Sequence, residues 1–574
     1  HPDLHGAVGI LFEQASSRGH YQDNSFGGID FPFTIRNQFV TSLSTLEAVD
    51  SMRDDLSAWQ REFYSTATRA AAELDYGAVV FGSSDDDPAQ VAAMAELLVR
   101  HGIRIDRPTA TLRMGTGGEV GPLTGYRVVL DQPQARLICS LFERRTAWDD
   151  NTFYDVSSWH LPSAFGVDAL ILTGDPKGSN GPSLTLEDLA RRAPISRPSD
   201  AREVAWTLDW SQFQAPAALA DLLDAGLRVR ATTKPATTKI LGEATEQGLG
   251  TIVIPLGIQD LDRQELRSRI ASIETERGVA FGMVGSGLTP EGVDLGSSSV
   301  REVPAVNPLL VVGPGVSSYD AGEVWHYLDA RLGLRVPMVE KDTLARMDLS
   351  DHTHLLLVSG ANSGWSEATT DKLRDWVRGG GVIVATESAA VWASKDFLRA
   401  AEDDGDEDDD EEDESEESEE PLRYADYETL AAVDRIAGTT FEVTIDPTHP
   451  MCFGFPRERV RVFKTSTAEL AEGNDPFAMP AHYTDKPLIS GYASADNVEQ
   501  IAGSVSLRAE RYGSGAVVCL LDNPLFRGYW RGTERFYANA LFFAPILKRT
   551  GPIDSAADEA LESHQHEHGH GLAH

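Results

Sequence analysis

The sequence contains little cysteine, few basic residues and no long apolar run. Its three cysteines (Cys139, Cys452 and Cys519) are too few for a disulfide framework or a four-cysteine zinc site. No stretch reaches 18 consecutive apolar residues, so the sequence predicts no transmembrane helix. Lys and Arg total 50 against 89 Asp and Glu, which gives a formal net charge of −39. We therefore do not expect nucleic acid to be a partner, because binding phosphates requires clustered basic side chains.

The remaining composition is that of a globular protein with several domains. Apolar residues make up 41% and charged residues 24% of the 574 positions. This length predicts two to four domains. Residues 402–420 hold a dense run of acids with no base. Such a run repels itself, so we expect a disordered insertion, with cation binding as the alternative.

The two ends of the sequence are unusual. It begins His1-Pro2-Asp3, without a Met or a signal-peptide core, and enters an apolar run at once. We expect the sequence to be truncated upstream. Residues 551–574 form a His-rich tail. Alternating histidines can bind metal ions, although a solvated tail is the simpler interpretation.

The apolar pattern predicts an α/β protein with three folded parts. Residues 1–72 combine one strand (6–13) with a long helical segment that starts near Thr34. In residues 73–300, short strands alternate with helices, which favours a mostly parallel sheet covered on both faces. In residues 301–550, the order strand, helix, strand, helix, strand indicates a sandwich of the flavodoxin or amidotransferase type.

Glu13 is the first candidate for chemistry. It ends the predicted buried strand, and a polar, Gly-rich loop follows it. α/β sheets place catalytic groups at such strand ends, and partial desolvation would raise the pKa of the carboxyl toward that of a general base. A strand-end Glu with an ordinary structural role is the alternative.

The local sequence around Glu13 resembles a known family. Gly6 to Glu13, then Phe31-Pro32-Phe33 and Ser42 to Glu47, are similar to the end of the zinc carboxypeptidase catalytic domain. Residues 149–162 and 522–540 resemble large bacterial members in which a class I amidotransferase-like domain follows the peptidase. The resemblance implies that residues 1–72 are the remainder of a carboxypeptidase domain, and that 73–300 and 301–550 are two α/β sandwich domains.

The resemblance also implies an activity. Zinc would activate a water, Glu13 would act as the general base, and a peptide bond would be hydrolysed by a secreted or periplasmic enzyme. The family's His-x-x-Glu pair and distant His lie upstream of the base, but only twelve residues precede Glu13, and His1 and His5 lie too near it. The substrate-binding Arg and Tyr are missing as well. We therefore expect the zinc ligands to lie outside this chain, and the chain alone to bind no zinc at Glu13 and to be inactive.

The cysteines and one serine are weaker candidates for nucleophiles. The turn Thr386-Glu387-Ser388-Ala389 corresponds to the strand-to-helix turn that carries the amidotransferase nucleophile, but it has no Cys. Ser388 could take that role, although an inactive scaffold is favoured. Cys452 could form a reactive pair with His449, although chance proximity of the two residues in a loop is the simpler interpretation. Cys139 and Cys519 are expected to be core thiols.

Two further patterns allow a ligand without requiring one. His352 and His354 lie on one face of a strand, as a metal pair needs, but packing or surface roles are simpler because no third ligand is near. The glycine clusters at 115–121 and 313–315 could cradle a phosphate, yet neither has a complete phosphate-binding signature.

A second function class is compatible with the same residues. The missing zinc ligands and the turn without a Cys also fit a non-catalytic ligand- or protein-binding module on amidotransferase-like α/β domains. The sequence leaves the oligomeric state and the peptide specificity open.

Overall fold

The structure is a computed structural model, and it divides the chain into two compact units. It describes residues 2–13, 17, 19–25, 27–73, 76–108, 123–148, 153, 155–173, 181–190, 202–240, 243–398, 423–424 and 435–551. The first unit comprises residues 1–81, 95–143 and 169–189. The second comprises residues 82–94, 144–168 and 190–574. The acidic run, the His-rich tail and the glycine cluster at 115–121 lie outside the described residues.

The first unit is built of short strands and helices. In its N-terminal part are β1 (Tyr21–Asn24), β2 (Gly27–Asp30), α1 (Phe31–Ser51), α2 (Arg53–Ser65) and α3 (Ala67–Glu73). Next come β3 (Tyr76–Ser83), α4 (Pro88–Arg100), β4 (Leu123–Val129) and α5 (Ala135–Phe142), with β3 and α4 crossing into the second unit. A three-stranded sheet has the order β4-β3-β5, where β5 is Ala169–Thr173.

The predicted buried strand at residues 6–13 is wrong. Residues 7–13 have no regular secondary structure, and the side chains of Ile10 and Leu11 are 64% and 73% exposed. An apolar run becomes a buried strand only where neighbouring strands accept its backbone hydrogen bonds. The nearby strands β1 and β2 pair with each other in an antiparallel hairpin instead.

The second unit contains two sheets, and the first of them is antiparallel. After α6 (Leu161–Phe165), its elements are β6 (Ala205–Leu208), α8 (Ala215–Asp224), β7 (Val229–Thr232), β8 (Ala236–Ile240), β9 (Glu243–Gln247), β10 (Ile252–Pro255), α9 (Arg263–Arg277), β11 (Phe281–Val284), β12 (Glu291–Gly292) and β13 (Val300–Val303). The short helix α7 (Leu186–Ala190) precedes β6 in the chain. The strand order is β12-β8-β11-β6-β10-β7-β13, with β9 beside β8.

The mostly parallel sheet predicted for residues 73–300 is therefore wrong. β6 pairs antiparallel with both β10 and β11, and β7 pairs antiparallel with β13. Some of the strands, such as β6 and β10, lie at apolar runs of the sequence, but a run of four buried residues does not reveal the direction of its neighbour.

The second sheet of this unit has a parallel core. Its elements are β14 (Pro308–Val312), α10 (Ser318–His326), β15 (Met338–Glu340), α11 (Lys341–Leu344), β16 (His354–Leu357), α12 (Glu367–Arg378), β17 (Val382–Thr386), α13 (Glu387–Trp392), β18 (Thr439–Ile445), β19 (Arg459–Lys464), β20 (Ala481–Ser490), α14 (Ala495–Ile501), β21 (Val505–Tyr512), β22 (Gly515–Leu520) and α15 (Glu534–Phe543). The order is β15-β14-β16-β17-β22-β21-β20-β18-β19.

The parallel part confirms the α/β class. Strands β15, β14, β16, β17 and β22 pair in parallel, in the 2-1-3-4-5 order of flavodoxin-like sheets. Their central residues are fully buried, as parallel strands covered on both faces require. Sheets of this kind bind ligands beyond the carboxyl ends of their strands. The loops after β14, β16, β17 and β22 are therefore where a site is expected.

None of the helices among the described residues is both long enough and apolar enough to cross a membrane.

Candidate functional site

Glu387 lies at the turn between β17 and α13, at the carboxyl edge of the parallel sheet. Its backbone φ is 51°, one of only three positive values among the described residues other than glycine. A positive φ is costly for a residue with a Cβ, and such strain is typically retained at functional sites. The chain thus presents a carboxyl at the position where related turns carry a nucleophile.

Side chains from three other loops surround the Glu387 carboxyl. The Thr465 hydroxyl donates to Oε1 at 3.2 Å, and the Ser359 hydroxyl donates to Oε2 at 3.5 Å. Asp320, in the first turn of α10, is hydrogen-bonded to the same carboxyl. The Ser317 hydroxyl in turn donates to Asp320 Oδ1 at 2.7 Å, which fixes that carboxyl at the helix N-terminus.

The surroundings of Glu387 favour its protonated form. Burial, followed by the negative charge of Asp320 and the hydrogen bond with it, raises the pKa of Glu387 to about 8. The charge of Glu323 adds to the shift, and the hydrogen bond from Thr465 opposes it. Two carboxyls that face each other cannot both ionise cheaply, so one retains its proton. The resulting group can donate a hydrogen bond or release a proton.

Glu323 and Arg527 form the rim of this site. The Arg527 backbone N–H donates to Glu323 Oε1 at 2.6 Å, and the Asn523 side chain donates to Oε2 at 2.7 Å. Burial nevertheless raises the pKa of Glu323. The Arg527 guanidinium binds both carboxylate oxygens of Asp155, at 2.9 and 2.6 Å, so its charge is already balanced. Arg527 also has a positive φ, of 50°.

A buried polar cluster lies beneath the strand ends. Asp522, just after β22, accepts hydrogen bonds from Tyr483 at 2.6 Å and Ser506 at 2.8 Å. Lys464 is 1% exposed, donates to the Ala468 carbonyl at 2.8 Å and lies 5.6 Å from the centre of the Tyr483 ring. Burial raises the pKa of Asp522 and lowers that of Lys464, and the attraction between them opposes both shifts.

The arrangement is suited to binding a cation or exchanging a proton. Three carboxyls (Asp320, Glu323 and Glu387) share one edge of the sheet; burial, followed by the charge of Asp320, raises the pKa of Glu387, and burial raises that of Glu323. Tyr319, beside Asp320, is 82% exposed and supplies an aromatic surface close to Arg527.

Glu13, the catalytic residue expected from the sequence, belongs to the first unit. Its side chain is exposed, in a segment without secondary structure. In that segment the Gly9 backbone N–H donates to Asp3 Oδ1 at 3.0 Å. Among the described residues, no group of three or more His, Cys, Asp or Glu side chains could hold a metal ion. His5 lies 3.3 Å from His101, and His1 is outside the described residues.

Ser388, the candidate nucleophile from the sequence, lies next to Glu387 in the same turn. Ser388 is exposed, and its hydroxyl accepts a hydrogen bond from the Gly360 backbone N–H at 3.3 Å. Within the described part of the chain, this hydroxyl has no hydrogen bond to a side chain that could act as its general base. The geometry therefore does not favour Ser388 as a nucleophile. Glu387 could have been found from the pattern itself, a carboxylate directly between a buried strand and an alanine-rich helix.

All three cysteines are buried thiols. Burial raises the pKa of Cys139 to about 11 and that of Cys519 to about 12. The Cys452 thiol donates to the Pro480 carbonyl at 3.8 Å, whereas the His449 ring accepts the Met451 N–H, so the two side chains do not pair. The core role expected for Cys139 and Cys519 is confirmed.

The surroundings of His354 and of the glycines at 313–315 indicate structural roles. His354 is buried, and its Nδ1 lies 2.8 Å from the Thr353 hydroxyl. The glycines at 313–315 form the loop after β14. A Cβ at Gly360 would lie 2.1 Å from the Gly315 carbonyl oxygen, so this close approach of two loops requires glycine.

One family model matches part of the chain. Residues 317–529, which include Glu387, match the family model described as a domain of unknown function (DUF4350). No curated protein matches.

Solved structures give distant similarities only. A β-galactosidase from Bacillus circulans sp. alkalophilus is 13% identical over 41% of this chain and 30% of its own, with a TM-score of 0.21. A putative ThuA-like protein from Bacteroides uniformis is 9% identical over 41% of this chain and 89% of its own, with a TM-score of 0.24. The chain spans about a third of the length of the β-galactosidases that it matches. Similarity this low identifies neither fold nor activity.

The resemblance to zinc carboxypeptidases is wrong. The matching family model covers the C-terminal part of the chain and carries no peptidase description, and the structures named above are not peptidases. The residues that suggested the resemblance around Glu13 form no strand. Short apolar motifs such as these recur by chance in unrelated α/β proteins, so they do not identify a protease.

Proposed function

We propose that the parallel-sheet domain is a non-catalytic binding module that takes a cationic group, such as the ammonium of a small amine, beside Glu387. The observation that carries the proposal is the contact between the Glu387 and Asp320 carboxyls at the strand end, where burial together with this contact raises the pKa of Glu387 to about 8. A cation placed between the two carboxyls would remove the repulsion that keeps the proton in place. Binding would therefore exchange a proton for the cationic ligand.

The residues of the turn support binding rather than catalysis. All three cysteines are buried, and the Ser388 hydroxyl is engaged by the Gly360 N–H. The exposed ring of Tyr319 next to Asp320 would add a cation–π contact. Arg527 does not compete for the carboxyls, because Asp155 already holds its guanidinium.

Three probes of similar size and different charge test the proposal. We expect n-butylammonium to bind at pH 8, measured by isothermal titration calorimetry, and 1-butanol and butyrate not to bind. Glu387→Ala should weaken amine binding by at least about tenfold, because it removes a charge-assisted contact. Glu367→Gln, an exposed acid at the start of α12, is the matched control and should bind as the wild type does.

Two results would refute a cation site. One is equal binding of butanol and butylammonium, which would indicate a site for neutral groups. The other is amine binding that survives Glu387→Ala unchanged, which would place the ligand elsewhere on this acidic chain.

A further inference from the structure

Helix α1 of the first unit faces solvent with its apolar side. The helix covers Phe31–Ser51, and among the described residues none of its side chains is buried. Phe39 is 62% and Leu46 is 65% exposed. A surface helix normally turns its apolar stripe toward the core, so this orientation is reversed.

The face that is partly covered is the polar one. The half-buried positions of α1 recur at Thr34, Asn37, Thr41 and Thr45. Their spacing of three or four residues defines one helical face. The Thr41 and Thr45 hydroxyls donate to carbonyls one turn earlier in the same helix, at 2.8 and 2.9 Å. Within its unit, α1 therefore packs through its polar face, and its apolar face remains exposed to solvent.

The stripe consists of large side chains along the whole helix. At 100° per residue, six exposed residues fall within a sector of about 120°. They are Phe31, Ile35, Phe39, Leu43, Leu46 and Val49. Contiguous exposed apolar surface of this kind marks an interaction site.

The order of the side chains in the stripe is self-complementary about Thr41. When two copies of α1 run antiparallel, Phe39 of each lies opposite Leu43 of the other, and Ile35 lies close to Leu46. Apolar side chains then face apolar side chains along the stripe, as close packing favours. A two-fold axis produces each such contact twice.

The charges that flank the stripe obey the same symmetry. Arg36 and Glu47 are both exposed and lie on the same edge of the stripe, eleven residues apart. In the antiparallel arrangement, Arg36 of one copy meets Glu47 of the other, on both sides of the axis. In a parallel two-fold arrangement, each edge of the stripe faces the opposite edge of the partner, so Arg36 and Glu47, which share one edge, would not meet.

We infer that α1 is a homodimer interface, in which the apolar stripe packs antiparallel against α1 of a second copy of this chain. The partner is a second copy because both the apolar order and the flanking charges complement themselves. This inference rests on the first unit and does not depend on the site at Glu387.

Sedimentation velocity on the full chain at 1–100 µM tests the inference. We expect a concentration-dependent dimer in the wild type. Leu43→Asp, at the centre of the stripe, should raise the dissociation constant by at least about tenfold. Ser44→Asp, exposed on the opposite side of α1, should dimerise as the wild type does, and circular dichroism should confirm that both variants are folded.

Exchanging the charges of Arg36 and Glu47 tests whether the two copies of α1 run antiparallel. Arg36→Glu should weaken the dimer, and the double variant Arg36→Glu with Glu47→Arg should restore it, because the exchange recreates both ion pairs. A wild type that remains monomeric at 100 µM would overturn the inference. A dimer that is insensitive to Leu43→Asp, or not restored by the double exchange, would do the same.

Discussion

The carboxyl groups of Glu387 and Asp320 lie within hydrogen-bonding reach of each other, although 67 positions separate them in the chain. One follows β17 and the other begins the helix after β14. Their contact results from the strand order of the parallel sheet, which brings these loops to one edge. Because this contact helps to raise the pKa of Glu387, the ionisation of Glu387 is coupled to the stability of the fold.

The pH dependence of stability should include a term from Glu387. Its folded pKa of about 8 lies above the unfolded value of about 4.3, so the folded state binds more protons between these limits. The contribution is favourable below pH 4 and is lost as pH rises through 8. Because the residue is partly exposed, we expect a loss on the order of 1 kcal/mol or more.

Urea denaturation at pH 5.5 and 8.5 measures this term. Relative to the wild type, Glu387→Gln should gain stability at pH 8.5, since the amide cannot ionise. Glu367→Gln serves as the control and should leave the difference between the two pH values unchanged. A wild-type-like difference in Glu387→Gln would show that this carboxyl ionises normally.

His449 should make the free energy of unfolding decrease as the pH falls below neutral, which is the opposite dependence to that of Glu387. Burial lowers its pKa from about 6.5 to about 4, so its stabilising effect is complete above pH 6.5 and is lost as pH falls through 4. His449→Asn keeps an acceptor for the Met451 N–H and removes the titration. Denaturation at pH 7 and 4.5 should show a smaller acid loss in the variant, whereas His326→Asn, at an exposed position, should retain the full loss.

Arg527 combines a strained backbone with a strong side-chain contact. Its φ of 50° is tolerated best by glycine, whereas its ion pair with Asp155 is lost in any truncation. Arg527→Gly and Arg527→Ala lose the same contact but differ in backbone strain. The glycine variant should therefore be more stable than the alanine variant by about 1 kcal/mol in urea denaturation. Equal stabilities would mean that the backbone at this position is relaxed.

The three thiols should be unreactive in the folded protein. Cys139, Cys452 and Cys519 are buried, and burial raises the pKa of each. A thiol reagent such as dithionitrobenzoate should modify none of them within minutes at pH 8, and all three in 6 M guanidinium. Rapid modification of one cysteine without denaturant would reveal an accessible thiolate.

The elements of the parallel sheet could be predicted from the sequence. The apolar runs at 309–312 and 382–385 lie in β14 and β17, and the segment between them that has apolar residues at helical spacing contains α12. Such runs identify strands because parallel strands are buried on both faces. The same rule failed at residues 6–13, where an exposed apolar run has no strand partners, and it could not reveal strand direction in residues 205–303.

The site was only partly predictable. The turn 386–389 can be predicted from its position after a buried strand. Within it, a mechanism that needs a nucleophile points to Ser388 and not to Glu387. The partners Asp320 and Thr465 carry no local signal, since each lies in an ordinary polar loop or helix start. Their approach to Glu387 depends on the order of the strands in the sheet, which the spacing of apolar residues in the sequence does not reveal.

The most direct test of the central claim is the number of protons released when an amine binds. Calorimetric titration of n-butylammonium at pH 7, in phosphate and in Tris, separates binding heat from buffer ionisation. The cation site at Glu387 predicts release of close to one proton per ligand in the wild type and none in Glu387→Gln. Amine binding without proton release by the wild-type chain would contradict the claim that a cation replaces the proton of Glu387.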